Sequence, residues 1–509
     1  MEPVLPFELR LADVRAGGLM KALHRQLRAA ILARRLPDRF ALPSTRRLAD
    51  ILGVGRNTVV AAYDLLVSEG HALARPGARM VVVGPAGAAP RKPPREAGLP
   101  VSRETDPRIA RNWRQPAERL AHAVPIPSRC FRTGVPEDRH FEHDVWRRLT
   151  ARALRDGARL PFNYGPPAGL PALREAIAGH VAFVRAVVCG PDDLIVTSGA
   201  QQAFDLLARL LVTPGRTRVA VEDPGFPPTR AAFAAAGARL VPVPVDEQGL
   251  CVDRVPGDVK VICVTPSHQS PTGAVMSAAR RCELLMRARA LGAVVIEDDY
   301  DGEFLFDAHP QDALQTLDCD ERVFYVGTFS KSLFPALRKG FVVAPAWARE
   351  ALIDIRRSTD SHGDLLTQAT LAAFIAEGHL ARHIRRMRPI YAQRRQALEQ
   401  GMERHLGKWL RVLPGNAGLH LSAGFHAGSS AATVLRAALD HLPGALPLSA
   451  YAVAGSRMPG LCIGYGCVEV DQIARAVRAM GRTLDGQRSA SMTLPEEGRC
   501  RVLRDKSSP

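Results

Sequence analysis

A chain of 509 residues, 46% of them hydrophobic, is too long for one ordinary domain and can bury a large core, so two or three domains are expected. The formal net charge is +17 and is spread unevenly: residues 1–130 hold 22 of the 68 Lys and Arg but 11 of the 51 Asp and Glu, which favours an anionic partner there, nucleic acid first. The nine cysteines have neither C-x-x-C nor metal-ligand spacing, the start M-E-P-V-L-P-F has no leader pattern, and no run reaches the roughly 18 apolar residues of a membrane span. The expectation is a cytoplasmic protein with reduced thiols, no metal and no membrane partner.

Residues 20–35 read as a helix, with Leu23, Leu27 and Ile31 at four-residue spacing. A second helix begins after Ser44, a suitable N-cap; Leu48 and Ile51 are expected to face inward and Gly53 to stop it. A third follows from Arg56, its apolar stripe carried by Val59, Tyr63 and Leu66 or Val67. Two short helices around a glycine turn fit a helix-turn-helix, and the extended runs around Pro76-Gly77 read as a following hairpin, or wing. Arg56, Asn57 and Thr58 open the third helix, where a recognition helix meets base edges; Arg46 and Arg47 open the second, where phosphate contacts position such a module. A helical hairpin with solvated arginines is the plain alternative, and the wing and the regional charge weigh against it.

Residues 85–128 are rich in Gly, Ala, Pro and Arg, lose hydrophobic periodicity and read as a basic linker. From about 130, apolar runs at 195–197, 219–221, 261–264, 294–296, 323–326 and 341–343 alternate with helical patterns at 200–212, 277–291 and 347–358. That alternation implies an α/β domain with a largely parallel sheet. Cys263 and Cys282 lie in apolar patterns and read as core. Residues 364–405 read as a long amphipathic helix, 409–482 as a small α+β lobe and 486–509 as a polar, disordered tail.

Three separated features converge on one chemistry. Ser198–Gln202 (S-G-A-Q-Q) follows a strand and opens a helix, where free N–H groups can bind phosphate. Ile296–Asp301 (I-E-D-D-Y-D) ends another strand, placing acidic groups where a ligand would bind in a parallel sheet. Thr328–Arg338 (T-F-S-K-S-L-F-P-A-L-R) sets Lys331 between hydroxyls and an arginine; a lysine amine can form a Schiff base with an aldehyde cofactor whose phosphate the hydroxyls and arginine hold. A lone lysine is ordinarily a surface charge, and the ordered set of three features is what argues otherwise.

The stretch Leu42–Gly70 resembles the winged-helix signature of GntR-family bacterial regulators, with Gly55 where the family often has Ser and a wing reading P-G-A-R-M. Residues from about 130 to 482 resemble a fold-type I, aspartate-aminotransferase-like domain, and the whole chain resembles the MocR-type subgroup of GntR regulators. The domains so implied are 10–84 (winged helix-turn-helix), 85–128 (linker), 129–485 (aminotransferase-like) and 486–509 (tail). The resemblance implies pyridoxal 5'-phosphate as cofactor, Lys331 as its Schiff-base lysine, Asp298 at the ring nitrogen and Tyr300 at the phenolic oxygen. It implies a phosphate cup of Gly199, Ala200, Gln201, Thr328, Ser330 and Arg338, and Phe226 stacked on the ring; a core phenylalanine is the alternative. Tyr164, in N-Y-G-P-P-A-G-L-P-A-L-R, and Arg457 are candidates for contacting an effector, a surface arginine being the alternative for Arg457. The family's aminotransferases usually carry Asn where this chain has Ser270, a residue that contacts the phenolic oxygen; His268 or Gln269 could take over. The implied function is a homodimeric regulator on double-stranded operator DNA, in which an amino compound, or the cofactor itself, engages the site and alters DNA binding. An aminotransferase with a DNA-binding appendage is the rival.

Overall fold

The computed structural model describes residues 5–9, 11, 18–74, 79–83, 106–109, 130–157, 163–306, 312–453 and 458–492, with the side chains of 488–492 left aside. It divides into two compact units, Met1–Ser102 and Arg103–Pro509.

The first unit packs three helices, α1 (Leu19–Leu32), α2 (Thr45–Leu52) and α3 (Arg56–Ser68), with a short antiparallel hairpin, β1 (Ala72–Leu73) and β2 (Val81–Val82). Leu23, Leu27 and Ile31 of α1 are fully buried against Val59, Ala62, Tyr63 and Leu66 of α3, as their spacing predicts. Ser44 caps α2 by accepting from the Arg47 N–H at 3.3 Å, and Gly53 ends it with φ of 62°. Ile51 does not face inward: it is 55% exposed, because Leu48 and Ala49 already supply the short helix's buried face. The Tyr63 hydroxyl donates to the Pro43 carbonyl at 3.0 Å, which ties α3 to the chain entering α2 and fixes the angle of the pair. The wing tip around Pro76-Gly77 lies outside the described residues.

The second unit opens with α4 (His143–Gly157) and α5 (Pro171–Arg185). It then alternates β3 (Leu194–Thr197), α6 (Ala200–Leu211), β4 (Arg218–Asp223), α7 (Pro227–Ala235), β5 (Arg239–Asp246), β6 (Gly249–Leu250), β7 (Val261–Val264), α8 (Ala278–Leu291), β8 (Val294–Asp299), β9 (Val323–Thr328), β10 (Gly340–Val343) and α9 (Arg349–Asp360). The strands form one sheet in the order β3-β10-β9-β8-β7-β4-β5-β6. From β9 to β5 every pairing is parallel, while β10 runs against both β3 and β9. Because β10 is reversed, its first residue, Gly340, pairs with the last residues of β3 and β9, Thr197 and Thr328. The carboxyl ends of β3, β9, β8, β7 and β4 and the start of β10 therefore share one sheet edge, which is where α/β sheets bind ligands. Apolar clusters on the sheet bury these strands against α6 and α9 and against α8.

The expected single helix over 364–405 is two, α10 (Leu365–Ala376) and α11 (His379–Leu406). Gly378, with φ of 75°, breaks the pattern that periodicity alone ran together. The remaining lobe is a four-stranded antiparallel sheet, β11 (Leu410–Val412), β12 (His420–Phe425), β14 (Gly460–Gly464) and β13 (Leu446–Pro447), with α12 (Ala431–His441) and α13 (Val470–Met492). The last helix runs past the expected tail boundary at 486. Cys263 is buried as expected, but Cys282 is exposed, on the face of α8 turned away from the sheet. Among the described residues, no helix is long and apolar enough to cross a membrane.

Candidate cofactor and DNA-reading sites

The shared sheet edge gathers most of the residues singled out above. β8 ends at Asp298-Asp299 and delivers Tyr300 and Asp301; β9 ends at Thr328 and delivers Ser330 and Lys331; the turn after β3 delivers Gly199 to α6; the turn before β10 delivers Arg338.

Lys331 is partly buried, and its Nζ donates to the Gly134 carbonyl at 2.8 Å. Burial holds the amine below the usual lysine range; Asp301 and Asp298 oppose that by favouring its charged form, and Arg132 adds to the lowering. A lysine kept closer to neutrality is the form that attacks a carbonyl carbon. Gly134 has φ of 69°, and a Cβ there would collide with Lys331 Nζ. It was not singled out from the sequence, since it lies 197 positions from its partner.

Asp298 is 5% exposed, and its Oδ1 is buried without a hydrogen-bond partner. Burial first, then Asp299 and Glu222, push its carboxyl well above the usual range, while Lys331 pulls it down. A pocket is lined by Asp298, Phe226, Thr229, Arg230, Cys263 and Glu222 among others, so the phenylalanine and the carboxylate expected at the cofactor ring line the same cavity. Glu222 accepts from Thr265 N (3.2 Å), Thr265 Oγ1 (2.6 Å) and Gln269 Nε2 (3.0 Å), and burial still pushes it up to about 7. Arg230 closes the pocket by donating to the carbonyls of Gly225 (2.9 Å) and Tyr451 (2.8 Å).

At the opposite end of the edge, Gly199 caps α6 with φ of 83°. A side chain there would crowd the Arg338 guanidinium at about 3.1–3.2 Å, so glycine lets that cation lie at the helix N-terminus, where Nη2 donates to the Ser198 carbonyl at 2.7 Å. Ala200 and Gln201 open the helix; Thr328 Oγ1 donates to Ser330 Oγ at 3.0 Å beside it. Unpaired N–H groups, the positive end of a helix dipole and a guanidinium together suit a phosphate. The arrangement fits the aldehyde cofactor that the resemblance implies, on two observations: an unpartnered buried carboxylate oxygen where a ring N–H would need an acceptor, and a glycine-lined cationic cradle where a phosphate would lie.

Not every expectation converges. The Tyr300 hydroxyl donates to the His268 carbonyl at 2.9 Å and sits 3.1 Å from His268 Nδ1. The Ser270 N–H donates to Thr265 Oγ1, and Gln269 is committed to Glu222 and to the Pro224 carbonyl, so of the two expected substitutes only His268 reaches Tyr300. Tyr164 is 83% exposed and makes an edge contact with His362. Arg457 lies outside the described residues. His268, Asp301 and His420 bring ligand-type atoms within 4.8 Å of one another. Their atoms are already spent on hydrogen bonds: His268 Nδ1 lies 3.0 Å from both Asp301 oxygens, and His420 Nε2 lies 3.2 Å from the Pro271 carbonyl.

In the first unit, Arg46 and Arg47 are exposed on α2, and Arg56 and Asn57 are exposed at the first turn of α3; Thr58 is half-buried. Arg56 Nε reaches Thr45 Oγ1 at 3.4 Å, which draws the two helix starts together.

Two family models match the chain: "Bacterial regulatory proteins, gntR family" over residues 19–82 and "Aminotransferase class I and II" over residues 135–440. Among curated proteins, the probable rhizopine catabolism regulatory protein MocR of Rhizobium meliloti is 35% identical over 493 residues, covering 96% of this chain and 97% of that protein. The transcriptional regulator TauR of Rhodobacter capsulatus is 34% identical over 77% of this chain and 81% of its own length. Among solved structures, the α-aminoadipate aminotransferase LysN of Thermus thermophilus, complexed with N-(5'-phosphopyridoxyl)-L-leucine, matches with a TM-score of 0.64 and 28% identity, covering 71% of this chain and 92% of that one.

Proposed function

The chain belongs to the MocR-type subgroup of the GntR family of bacterial regulators, and on that footing we propose that it holds pyridoxal 5'-phosphate at Lys331 and answers a small amino compound by changing its grip on operator DNA. When bound, pyridoxal phosphate supplies an electrophilic carbon for an amine and an electron-withdrawing ring. The chain's own residues do the rest. Lys331 presents an amine that burial biases toward its neutral form. Asp298 offers its free oxygen to the ring nitrogen, and Phe226 offers a ring face. Tyr300, whose hydroxyl donates to the His268 carbonyl here, would have to turn from it to serve the phenolic oxygen; the N–H groups of Gly199, Ala200 and Gln201, with Thr328, Ser330 and Arg338, would take the phosphate. An amino compound bound at the same centre would contend with Lys331 for the cofactor, and any difference in ligand affinity between two arrangements of the protein would shift its population on DNA.

The observation that carries regulation over simple turnover is the first unit, with Arg46, Arg47, Arg56 and Asn57 turned outward on a winged-helix framework fused to this site. Arg56, Asn57 and Thr58 read base edges, and Arg46 and Arg47 hold phosphates. A cytoplasmic homodimer presenting two such units to paired half-sites follows from that partner. The rival, an aminotransferase carrying a DNA-binding appendage, draws on the Lys331–Asp298 pair, which would serve turnover as well.

One titration tests the reading: absorbance near the violet edge and operator affinity, followed together as a panel of amines is added to the cofactor-loaded protein. Coupled changes are expected. A spectral response with unchanged DNA affinity, accompanied by sustained keto-acid release at ordinary enzymatic rates, would put the rival first.

A further inference from the structure

The end of α11 and the middle of α13 meet at Gly481, where an added Cβ would lie 2.7 Å from the His405 carbonyl oxygen. Glycine there lets the two helix backbones close on each other. Met402 and Leu406 of α11 and Val477, Met480 and Leu484 of α13 are buried in the core. Beside that contact lies a cavity of about 360 Å³, lined by Glu403, Arg404, Lys408, Arg478, Arg482 and Asp485 among others, a volume in the range of small-molecule sites. Lys408 Nζ meets Asp485 Oδ1 at 3.5 Å, and further back on α13 Arg475 meets Asp471 at 2.7 Å. The guanidiniums of Arg404, Arg478 and Arg482 have no ion-pair partner among the described residues, although all three are exposed at the same cavity. Arg404 lies in the last turn of α11, where the helix dipole favours a cation, which is reason enough for one arginine. That reason does not extend to Arg478 and Arg482, which stand well inside α13 and one turn apart, a spacing at which like charges repel.

We propose that this cavity is a binding site for a small phosphate monoester, held by Arg404, Arg478 and Arg482. Charge supports the class. Three unpaired guanidiniums and one unpaired carboxylate, Glu403, line the cavity and leave it two positive charges in excess, while one phosphate group carries about −1.5 to −2 near neutrality. The donors suit it too: a guanidinium offers paired N–H groups to phosphate oxygens, and arginines from two helices reach a tetrahedral group from different sides. Inorganic phosphate would leave most of the cavity to water, whereas an ester has a body to fill it. Among the described residues no Phe, Tyr or Trp lines the cavity, so nothing there would stack on a base, and the class is a small ester rather than a nucleotide. None of the lining residues belongs to the sheet edge that carries Lys331, and the inference does not depend on the cofactor reading.

The test follows the phosphorus resonances of glycerol phosphate and of inorganic phosphate titrated into the full chain, loaded with pyridoxal phosphate and freed of excess cofactor so that the other phosphate cradle is filled. Wild type is compared with Arg478→Gln/Arg482→Gln, Arg404→Gln and Arg475→Gln. Saturable binding of glycerol phosphate is expected, weakened about tenfold or more in the double variant and less in Arg404→Gln. Arg475→Gln, which removes a cation already paired outside the cavity, should leave it unchanged. Glycerol phosphate should also raise the melting temperature of wild type and not that of the double variant. All the replaced side chains are exposed, so the variants should melt without ligand no lower than wild type. Equal binding by wild type and the double variant, or saturable binding by neither, would overturn the inference and leave these arginines a solvated face. Inorganic phosphate bound as tightly as the ester would overturn the assigned class. An unchanged phosphate response with weakened operator affinity in the double variant would overturn it too, and give the cleft to the DNA backbone instead.

Discussion

The two units place their polar residues in opposite ways. In the first, the residues assigned to DNA point into solvent from a small apolar core: Arg46, Arg47, Arg56 and Asn57 are all exposed. In the second, the acidic residues at the ends of β4 and β8 are packed into the protein and into one another: Glu222, Glu297, Asp298, Asp299 and Asp301 are all buried, while Gln201 and Arg338 at the helix start stay exposed. A surface that meets a polyanion needs only to present charge, and water keeps that charge at little cost until the partner arrives. A pocket that tunes a reactive amine must hold ionisable groups away from water, where each shifts the others. The first unit can therefore lose a contact and keep its fold, whereas in the second a change in chemistry is also a change in stability.

The sharpest way to break that contrast is at Lys331. Lys331→Ala should abolish the near-visible absorbance of the cofactor-loaded protein outright; a retained band would mean that the pocket's chemistry does not depend on this residue. Next is Glu222, whose carboxyl is pushed from an ordinary 4.5 up to about 7 in the folded protein. A carboxyl raised on folding contributes stability below its unfolded pKa and loses it as pH rises through the folded value. The cofactor-free protein should thus lose up to about 3 kcal/mol between roughly pH 4.5 and pH 7 through this group, and Glu222→Gln should flatten that slope. Thermal melts across that range are the check, and an equal slope in the variant would contradict it. Arg56→Ala should weaken operator binding by about 1–3 kcal/mol, or tenfold or more, with the melting temperature of the first unit unchanged. Unaltered affinity would remove the recognition-helix assignment. Smallest is Ser44→Ala, which removes the α2 cap and should cost about 1 kcal/mol, read in a melt of the same unit.

The same contrast explains what was legible beforehand. The DNA-reading unit is local: cap, turn, stripe and outward residues fall within Leu42–Gly70, so spacing alone located them. Its one misplaced side chain, Ile51, sits on a helix too short for periodicity to decide its buried face. In the large unit the strand–helix alternation was readable, and so was the placing of Lys331, Asp298 and Arg338 at the ends of the strands. What was not readable is partnership across distance. Gly134 meets Lys331, Arg230 meets Tyr451 221 positions away, and His268 meets Asp301, and none of these pairs leaves a local pattern. The break at Gly378 was likewise hidden, because helical periodicity continues on both sides of it.

Gly134 and Gly199 carry a further consequence. Neither offers a side chain, yet each occupies a spot where a single added carbon would press on a functional group, the Lys331 amine in one case and the Arg338 guanidinium in the other. Alanine at either position would strain the backbone and push the end of a charged side chain from its place, so an intact inventory of reactive residues does not certify an intact pocket.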